Sequence, residues 1–112
     1  MENTLKGARK LTVLSHGKSR MFYLVCFDIV EDAPRARVVK VLKEYGERVQ
    51  KSVFECANLS EKAFLKMKSR VEDLIDSGED TVRYYVLCQG CLKNMELSGV
   101  GEPPKVQAFR VV

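Results

Sequence analysis

The feature that most constrains the fold is a continuous apolar run, "MFYLVCF" from Met21 to Phe27, that ends at Asp28. The run is rich in β-forming residues and has the length of one strand, far short of the roughly 20 residues that span a bilayer. A chain of 112 residues can enclose one modest core. We therefore expect a single small globular domain without a membrane segment, and this run as its first strand.

The residues before this run differ in composition from the rest of the chain. Positions 1–20 hold five basic residues and one acidic residue, which accounts for the whole net charge of +4, and 14 basic and 14 acidic residues follow from Met21 onward. We interpret residues 1–20 as an appended segment, from an alternative start or from expression, and residues 21–112 as the domain. Because the domain is balanced in charge, an argument for nucleic-acid binding needs a local basic patch.

Two helices are predicted from start signals and from the spacing of apolar residues. The first starts at Asp32, has Pro34 in its first turn and stops at Gly46. The second is capped by Ser60 and ends at Gly78. Its predicted core stripe consists of Phe64, Met67, Val71, Leu74 and Ile75.

Between the helices, "RVQKSVFEC" from Arg48 to Cys56 alternates and is rich in Val and Phe, so it predicts a second strand. A period of two places four residues on one face of this strand, namely Arg48, Gln50, Ser52 and Phe54. A polar face on a strand indicates a surface with a use.

Two further strands are predicted after the second helix, at Thr81–Cys88 and within Asn94–Leu97. Two helices and four short strands favour an α+β protein of the ferredoxin-like (βαββαβ) type, in which both helices cover one face of an antiparallel sheet. The open sheet face and the C-terminal "KVQAFRVV", which looks like an extra strand, predict a homodimer.

The pattern "FDI", "RAR", "YG-x-RVQ-x-SVFEC" is similar to the signature of the small CRISPR-associated spacer-acquisition family, Cas2. The resemblance is dense from Met21 to about Glu55 and looser through "YYVLCQGC" and "GVGEPP". It implies a ferredoxin-like dimer, which in this family is described as a metal-dependent endonuclease and as the subunit that bridges Cas1 integrase dimers.

The resemblance places the family's catalytic, metal-binding carboxylate at Asp28, where two copies face each other across the dimer. A hard cation such as Mg²⁺, or Mn²⁺ in its place, accepts one carboxylate from each subunit together with phosphate and water. The only histidine, His16, lies in the appended segment, so a nuclease here has to be metal-assisted. The alternative is that Asp28 ends a strand and accepts hydrogen bonds from the loop that follows.

Arg35 and Arg37 match the paired arginines of the family, and with Lys40 and Lys43 they give the first helix a basic half. Phosphate contact is the functional interpretation, and a solvated helix face is the alternative.

The second strand supplies the other candidates that match the family motif. Arg48 and Ser52 are expected to bind nucleic acid, and Gln50 and Phe54 are expected to line the dimer cleft. The alternative is that the polar groups satisfy one another. Phe27 stands where many family members have tyrosine, so any role of that hydroxyl is absent here.

Four cysteines without a secretory segment indicate a reducing cytoplasm. Cys88 and Cys91 form "CQGC", but structural zinc needs four ligands, and Cys26 and Cys56 lie within predicted strands. A thioredoxin-like pair would place its first cysteine at a helix N-terminus, whereas Cys88 ends a predicted strand. We therefore expect buried, reduced cysteines.

Two functions remain open from the sequence. In the first, the dimer is an endonuclease that hydrolyses phosphodiester bonds in single-stranded RNA or duplex DNA, working with the Cas1 integrase. In the second, it is a non-catalytic scaffold that binds duplex DNA and bridges Cas1 dimers. A ferredoxin-like binding module with no link to a nuclease is the third and least favoured interpretation. Phosphate contacts alone do not distinguish RNA from DNA.

Overall fold

The computed structural model describes residues 20–101 of the chain. Its elements, in chain order, are β1 (Arg20–Asp28), α1 (Asp32–Leu42), β2 (Glu47–Gln50), β3 (Val53–Ser60), α2 (Glu61–Glu72), β4 (Thr81–Leu87) and α3 (Gln89–Lys93). The strands form one sheet in the order β2-β3-β1-β4, and every neighbouring pair is antiparallel. This is the predicted ferredoxin-like α+β fold, with the short helix α3 added after β4. Within residues 20–101, no helix has the length and apolar character to cross a membrane.

Both long helices pack on the same face of the sheet. Every second residue of β1 enters the core there, from Tyr23 through Val25 to Phe27, and Phe54 and Cys56 of β3 join them. The helices contribute Val38, Val41, Leu42, Met67 and Val71. Aromatic rings continue this layer toward β4: Phe64 stacks on Tyr23 with ring centroids 4.2 Å apart and meets the edge of Tyr84 at 5.5 Å.

The helix boundaries follow local hydrogen bonding. Ser60 caps α2 as predicted, since its hydroxyl accepts the amide of Ala63 at 3.1 Å. The helix ends at Glu72, not at Gly78, because the next amides bond into tighter turns and the amide of Asp76 donates to the Asp80 carboxylate at 2.9 Å. Leu74 and Ile75 still pack against the core, as the predicted stripe required.

The second predicted strand is wrong, because residues 47–60 form a hairpin of β2 and β3. The chain reverses at Lys51 and Ser52, where the Arg48 guanidinium donates to the Lys51 carbonyl at 2.7 and 3.0 Å. The ladder also shifts register between Arg48 and Gln50. The alternation therefore does not run from Arg48 to Phe54, and these residues do not share one strand face.

The strand predicted at Asn94–Leu97 is also absent, and the fourth strand of the sheet comes from the hairpin instead. After β4 the chain enters α3 and continues without regular structure to Gly101. The segment expected to pair as an extra C-terminal strand, residues 105–112, lies outside the described residues, as do residues 1–19. β1 begins at Arg20, one residue before the predicted start of the domain.

Gly46 ends the connection from α1 to β2 and lies directly against β3. A Cβ atom at this position would be 2.3 Å from the Glu55 carbonyl oxygen and 2.6 Å from the Cys56 sulfur. Both distances are too short for any side chain, and the Glu55 carbonyl belongs to a paired strand that cannot move freely. The glycine is thus required by close approach of the backbone.

We expect Gly46→Ala to lower the free energy of unfolding by about 1–3 kcal/mol, because the added methyl group overpacks a closed contact. Urea unfolding measures this difference. Gly90→Ala is the matched control, since the nearest atom to its Cβ, the Cys88 sulfur, is 3.8 Å away. Equal stability of Gly46→Ala and the wild type would contradict the packing described for residue 46.

Candidate functional site

The candidate site lies on the sheet face that the helices leave open, where β1 ends. Asp28 pairs with Thr81 of β4, and Cys26, two residues earlier, pairs with Arg83 on one side and Val53 on the other. Paired residues in a sheet point to the same face, so all of these side chains share the open face. Cys26, Phe27, Asp28, Thr81 and Arg83 line a depression of about 290 Å³.

The Asp28 carboxylate is exposed and has no hydrogen bond or ion pair within the described residues. It does not cap α1, whose N-cap residue is Glu31. The amide of Val30, in the loop that follows, donates to Asp80 at 3.0 Å instead. The alternative role for Asp28, as an acceptor for that loop, is therefore taken by another carboxylate, and Asp28 is left open to solvent.

Arg35 organises the loop between β1 and α1. Its guanidinium donates to the Ile29 carbonyl from Nε at 3.2 Å and from Nη2 at 3.0 Å, and Nη2 also donates to the Val30 carbonyl at 3.0 Å. Its Nη1 forms an ion pair with Asp32 at 2.6 Å. Most of its donors are thus occupied by the protein itself, which indicates a role in shaping the loop beside Asp28.

Arg37 differs from Arg35 in being exposed on the solvent face of α1, together with Lys40 and Lys43. α1 starts at the end of the sheet where Asp28 lies, but it packs on the covered face. Arg37 is therefore a cation near this end of the sheet, and it is not part of the depression around Asp28.

The hairpin places Gln50 on the open face, turns the Arg48 guanidinium to the Lys51 carbonyl and buries Phe54. Gln50 pairs with Val53, which pairs with Cys26, so Gln50 lies on the open face. The Ser52 carbonyl accepts the Phe27 amide at 3.1 Å. The predicted place of Phe54 in a dimer cleft is wrong, because its side chain is 0% exposed in the core and packs on Phe27.

Arg83 is the residue of the depression that the sequence interpretation missed. It lies beside Asp28 on the open face, and the neighbouring Tyr85 hydroxyl raises the pKa of its guanidinium. Tyr85 is 46% exposed on the same face. The alternation in "TVRYYVLC" carried the signal, since a period of two groups Thr81, Arg83 and Tyr85.

Among residues 20–101, the depression offers a metal ion one carboxylate, that of Asp28. No group of three or more His, Cys, Asp or Glu side chains with metal-binding geometry occurs among residues 20–101. A free carboxylate with a neighbouring hydroxyl, that of Thr81, still fits Mg²⁺, which keeps several waters and commonly takes one or two carboxylates together with substrate phosphates. The donor set therefore suits a hard cation whose remaining ligands come from other molecules.

The cysteines differ from the expectation of burial. Cys56 is buried, and burial raises the pKa of its thiol to about 12. Cys88 and Cys91 are exposed, so the predicted burial is wrong for this pair. Cys88 also caps α3, a helix of only five residues, because β4 already ends at Leu87.

Comparison with known proteins gives consistent matches. The family described as CRISPR associated protein Cas2 matches residues 21–95. A relative from Chloroflexus aurantiacus named CRISPR-associated endoribonuclease Cas2 1 is 41% identical over 86 residues, which are 76% of this chain and 91% of the relative.

Two solved structures have the same fold as this chain. Streptococcus pyogenes Cas2 at pH 6.5 is 32% identical with a TM-score of 0.62, covering 70% of this chain and 100% of that one. A chain of a partial Cas6-RT-Cas1–Cas2 complex is 30% identical with a TM-score of 0.60, covering 68% of this chain and 82% of that one.

We expect Asp80→Asn to destabilise the protein at neutral pH and to speed amide exchange at Val30 and Asp76. Hydrogen bonds from these two amides lower the pKa of the Asp80 carboxyl. Because the folded-state pKa lies below the unfolded value of about 3.9, the stabilisation is present above that value and is lost as the pH falls through the folded-state pKa.

Thermal unfolding from pH 7 to pH 2 tests this sign. The difference between wild type and Asp80→Asn should be constant near neutrality and shrink below about pH 4. Asp73→Asn, which removes the same charge from an exposed site, is the control and should follow the wild type. A difference that persisted unchanged at pH 2 would contradict the role of the ionised Asp80.

Proposed function

Since the chain belongs to the CRISPR associated protein Cas2 family, we propose that it is a metal-dependent endonuclease that hydrolyses phosphodiester bonds in spacer acquisition. The observation that carries the proposal is the free Asp28 carboxylate at the end of β1, on the open sheet face and beside Arg83. The name of the Chloroflexus relative supports RNA as a substrate, and duplex DNA is the alternative that the assay below distinguishes.

Asp28 would hold the metal ion in this proposal. Mg²⁺ or Mn²⁺, when bound, would polarise a phosphate and lower the pKa of a water molecule. Asp28 suits this role because its carboxylate has no structural partner within the described residues and stands in an accessible depression. The same exposure lets a polymer reach it, which a buried carboxylate would prevent.

The site would be completed by a second copy of the chain, packed through the open sheet face. One carboxylate binds a divalent cation weakly, whereas two copies of the chain supply two carboxylates. Two carboxylates brought together repel each other unless a cation neutralises them, so metal binding and dimer formation would support each other. Tyr85 and the partly exposed Leu24 give this face the apolar surface that a partner would cover.

Arg83 would contact the phosphate backbone next to the cleaved bond. Its guanidinium is exposed on the open face, and its planar shape matches phosphate geometry. Arg37, Lys40 and Lys43 add positive charge on the solvent face of α1, where a longer polymer would pass. Arg35 would act indirectly, by holding the carbonyls of Ile29 and Val30 and so the path of the chain after Asp28.

A scaffold role is the second candidate, and the similarity to a chain of a Cas6-RT-Cas1–Cas2 complex favours it. In this role the dimer binds duplex DNA and joins Cas1 dimers, and Asp28 does no chemistry. The two roles share the same basic surface, because both need contacts to a phosphate backbone. They differ in whether the Asp28 carboxylate is required.

We expect Asp28→Asn to lower cleavage by at least about a hundredfold, since a metal contribution of several kcal/mol corresponds to two or more factors of ten in rate. The assay uses labelled single-stranded RNA and duplex DNA, each with Mg²⁺ and with EDTA. Asp73→Asn is the matched control for loss of one exposed carboxylate. Duplex binding without any cleavage by the wild type would instead favour the scaffold.

We expect Arg83→Gln to weaken binding of the preferred polymer by about tenfold, which corresponds to about 1.4 kcal/mol. If Arg83 neutralises one phosphate, the slope of log K against log salt should fall by about 0.9 for a duplex and about 0.7 for a single strand. Lys66→Gln, which removes an exposed cation from α2, should leave the slope unchanged. An unchanged slope in Arg83→Gln would exclude the phosphate contact.

A further inference from the structure

Cys88 and Cys91 form a pair of exposed thiols immediately after β4. Their sulfur atoms are 3.6 Å apart, close to van der Waals contact. The geometry arises because Cys88 caps α3, so that Cys91 lies three residues later on the same side of the first turn. The amide of Leu92 donates to the Cys88 carbonyl at 3.1 Å, which holds this turn in place.

The two thiols are exposed, whereas Cys26 is half-buried and Cys56 is buried. The Cys91 amide, then the Cys91 thiol and the Gly90 amide, lie close to the Cys88 sulfur and lower the pKa of its thiol. Burial has the opposite effect at Cys56. A thiolate is the nucleophile in thiol chemistry, so an accessible cysteine with a lowered pKa reacts first. Its neighbour at 3.6 Å is then placed to react second.

We propose that Cys88 and Cys91 are a thiol–disulfide exchange site for oxidised low-molecular-weight thiols, with Cys88 as the attacking residue and Cys91 as the resolving residue. The Cys88 thiolate attacks one sulfur of the small disulfide, forms a mixed disulfide and releases one thiolate. The Cys91 thiolate then attacks the Cys88 sulfur, closes the Cys88–Cys91 bond and releases the second small thiol. Overall, the two cysteines lose two protons and two electrons, and the small disulfide gains them.

A disulfide fits the pair better than a structural metal does. Closing the bond requires the sulfur atoms to approach from 3.6 Å to about 2.05 Å, a shift that rotation of two short side chains can supply. Structural zinc needs four ligands, and among residues 20–101 no third ligand joins the two thiols. The pair therefore supplies the two thiols that disulfide exchange requires, but only two of the four ligands that structural zinc requires.

The thiol pair is separate from the site around Asp28. β4 runs from Thr81, the partner of Asp28, to Leu87, which is roughly 20 Å at 3.3 Å per residue. Oxidation would close a small ring over the first turn of α3, a helix that has no side-chain cap. The inference does not depend on the proposed nuclease activity, and its test measures thiols, not cleavage.

The test equilibrates the full chain with mixtures of reduced and oxidised glutathione in the presence of EDTA, which excludes protection by bound metal. After an acid quench and denaturation, iodoacetamide labels the free thiols and intact mass counts them. We expect the wild type to change from four labelled cysteines to two, without bound glutathione at equilibrium. Cys26→Ser is the matched control. In this variant, the same two residues should become protected from labelling.

Single substitutions of the pair assign the two roles. Cys91→Ser should accumulate one glutathione on Cys88, because no resolving thiol remains. Cys88→Ser should form its adduct on Cys91 at least severalfold more slowly, because the thiol with the lowered pKa has been removed. Circular dichroism verifies that each variant is folded.

Two results would overturn the proposal. One is a folded wild type that keeps four free cysteines at every glutathione ratio. The other is a wild type that carries glutathione on both residues without closing the bond.

Discussion

The pairing of β1 on both of its edges is the constraint from which the arrangement of the site follows. β1 lies between β3 and β4, and its alternation sends Tyr23, Val25 and Phe27 into the core. Asp28 follows Phe27, so burial of Phe27 fixes the aspartate on the open face. A shift of the register by one residue would bury the carboxylate and expose the aromatic ring, which the two ladders together prevent.

The loop after β1 shows how Asp28 remains available. Loop carbonyls need donors and loop amides need acceptors, and an aspartate at a strand end often accepts from such amides. Here Arg35 binds the carbonyls of Ile29 and Val30, and Asp80 accepts the Val30 amide. Two side chains from outside the loop thus bind its backbone groups, and the exposed Asp28 carboxylate has no structural partner among residues 20–101. A carboxylate that has no structural role and is held in a fixed place is suited to binding a ligand.

The sequence predicted the elements with clear periodicity and failed where a local contact decided the path. β1, α1, α2 and β4 were predicted from apolar spacing, and Asp28 was correctly placed at the end of β1. The turn at Lys51 and Ser52 was missed because it contains no glycine, proline or asparagine and is held by Arg48 through a contact three residues away. Because of this turn, Phe54 lies in the core, whereas Gln50 lies on the open face.

The exposure of Cys88 and Cys91 has the same physical origin. Five residues are too few to show a helical period, so nothing in the apolar pattern indicated that "CQGC" leaves the sheet and begins α3. Had β4 continued, alternation would have placed Cys88 and Cys91 on opposite faces, since they are three residues apart. A helical turn brings residues at that spacing together. The end of β4 at Leu87, one residue before the predicted strand end at Cys88, is therefore what brings the two thiols together.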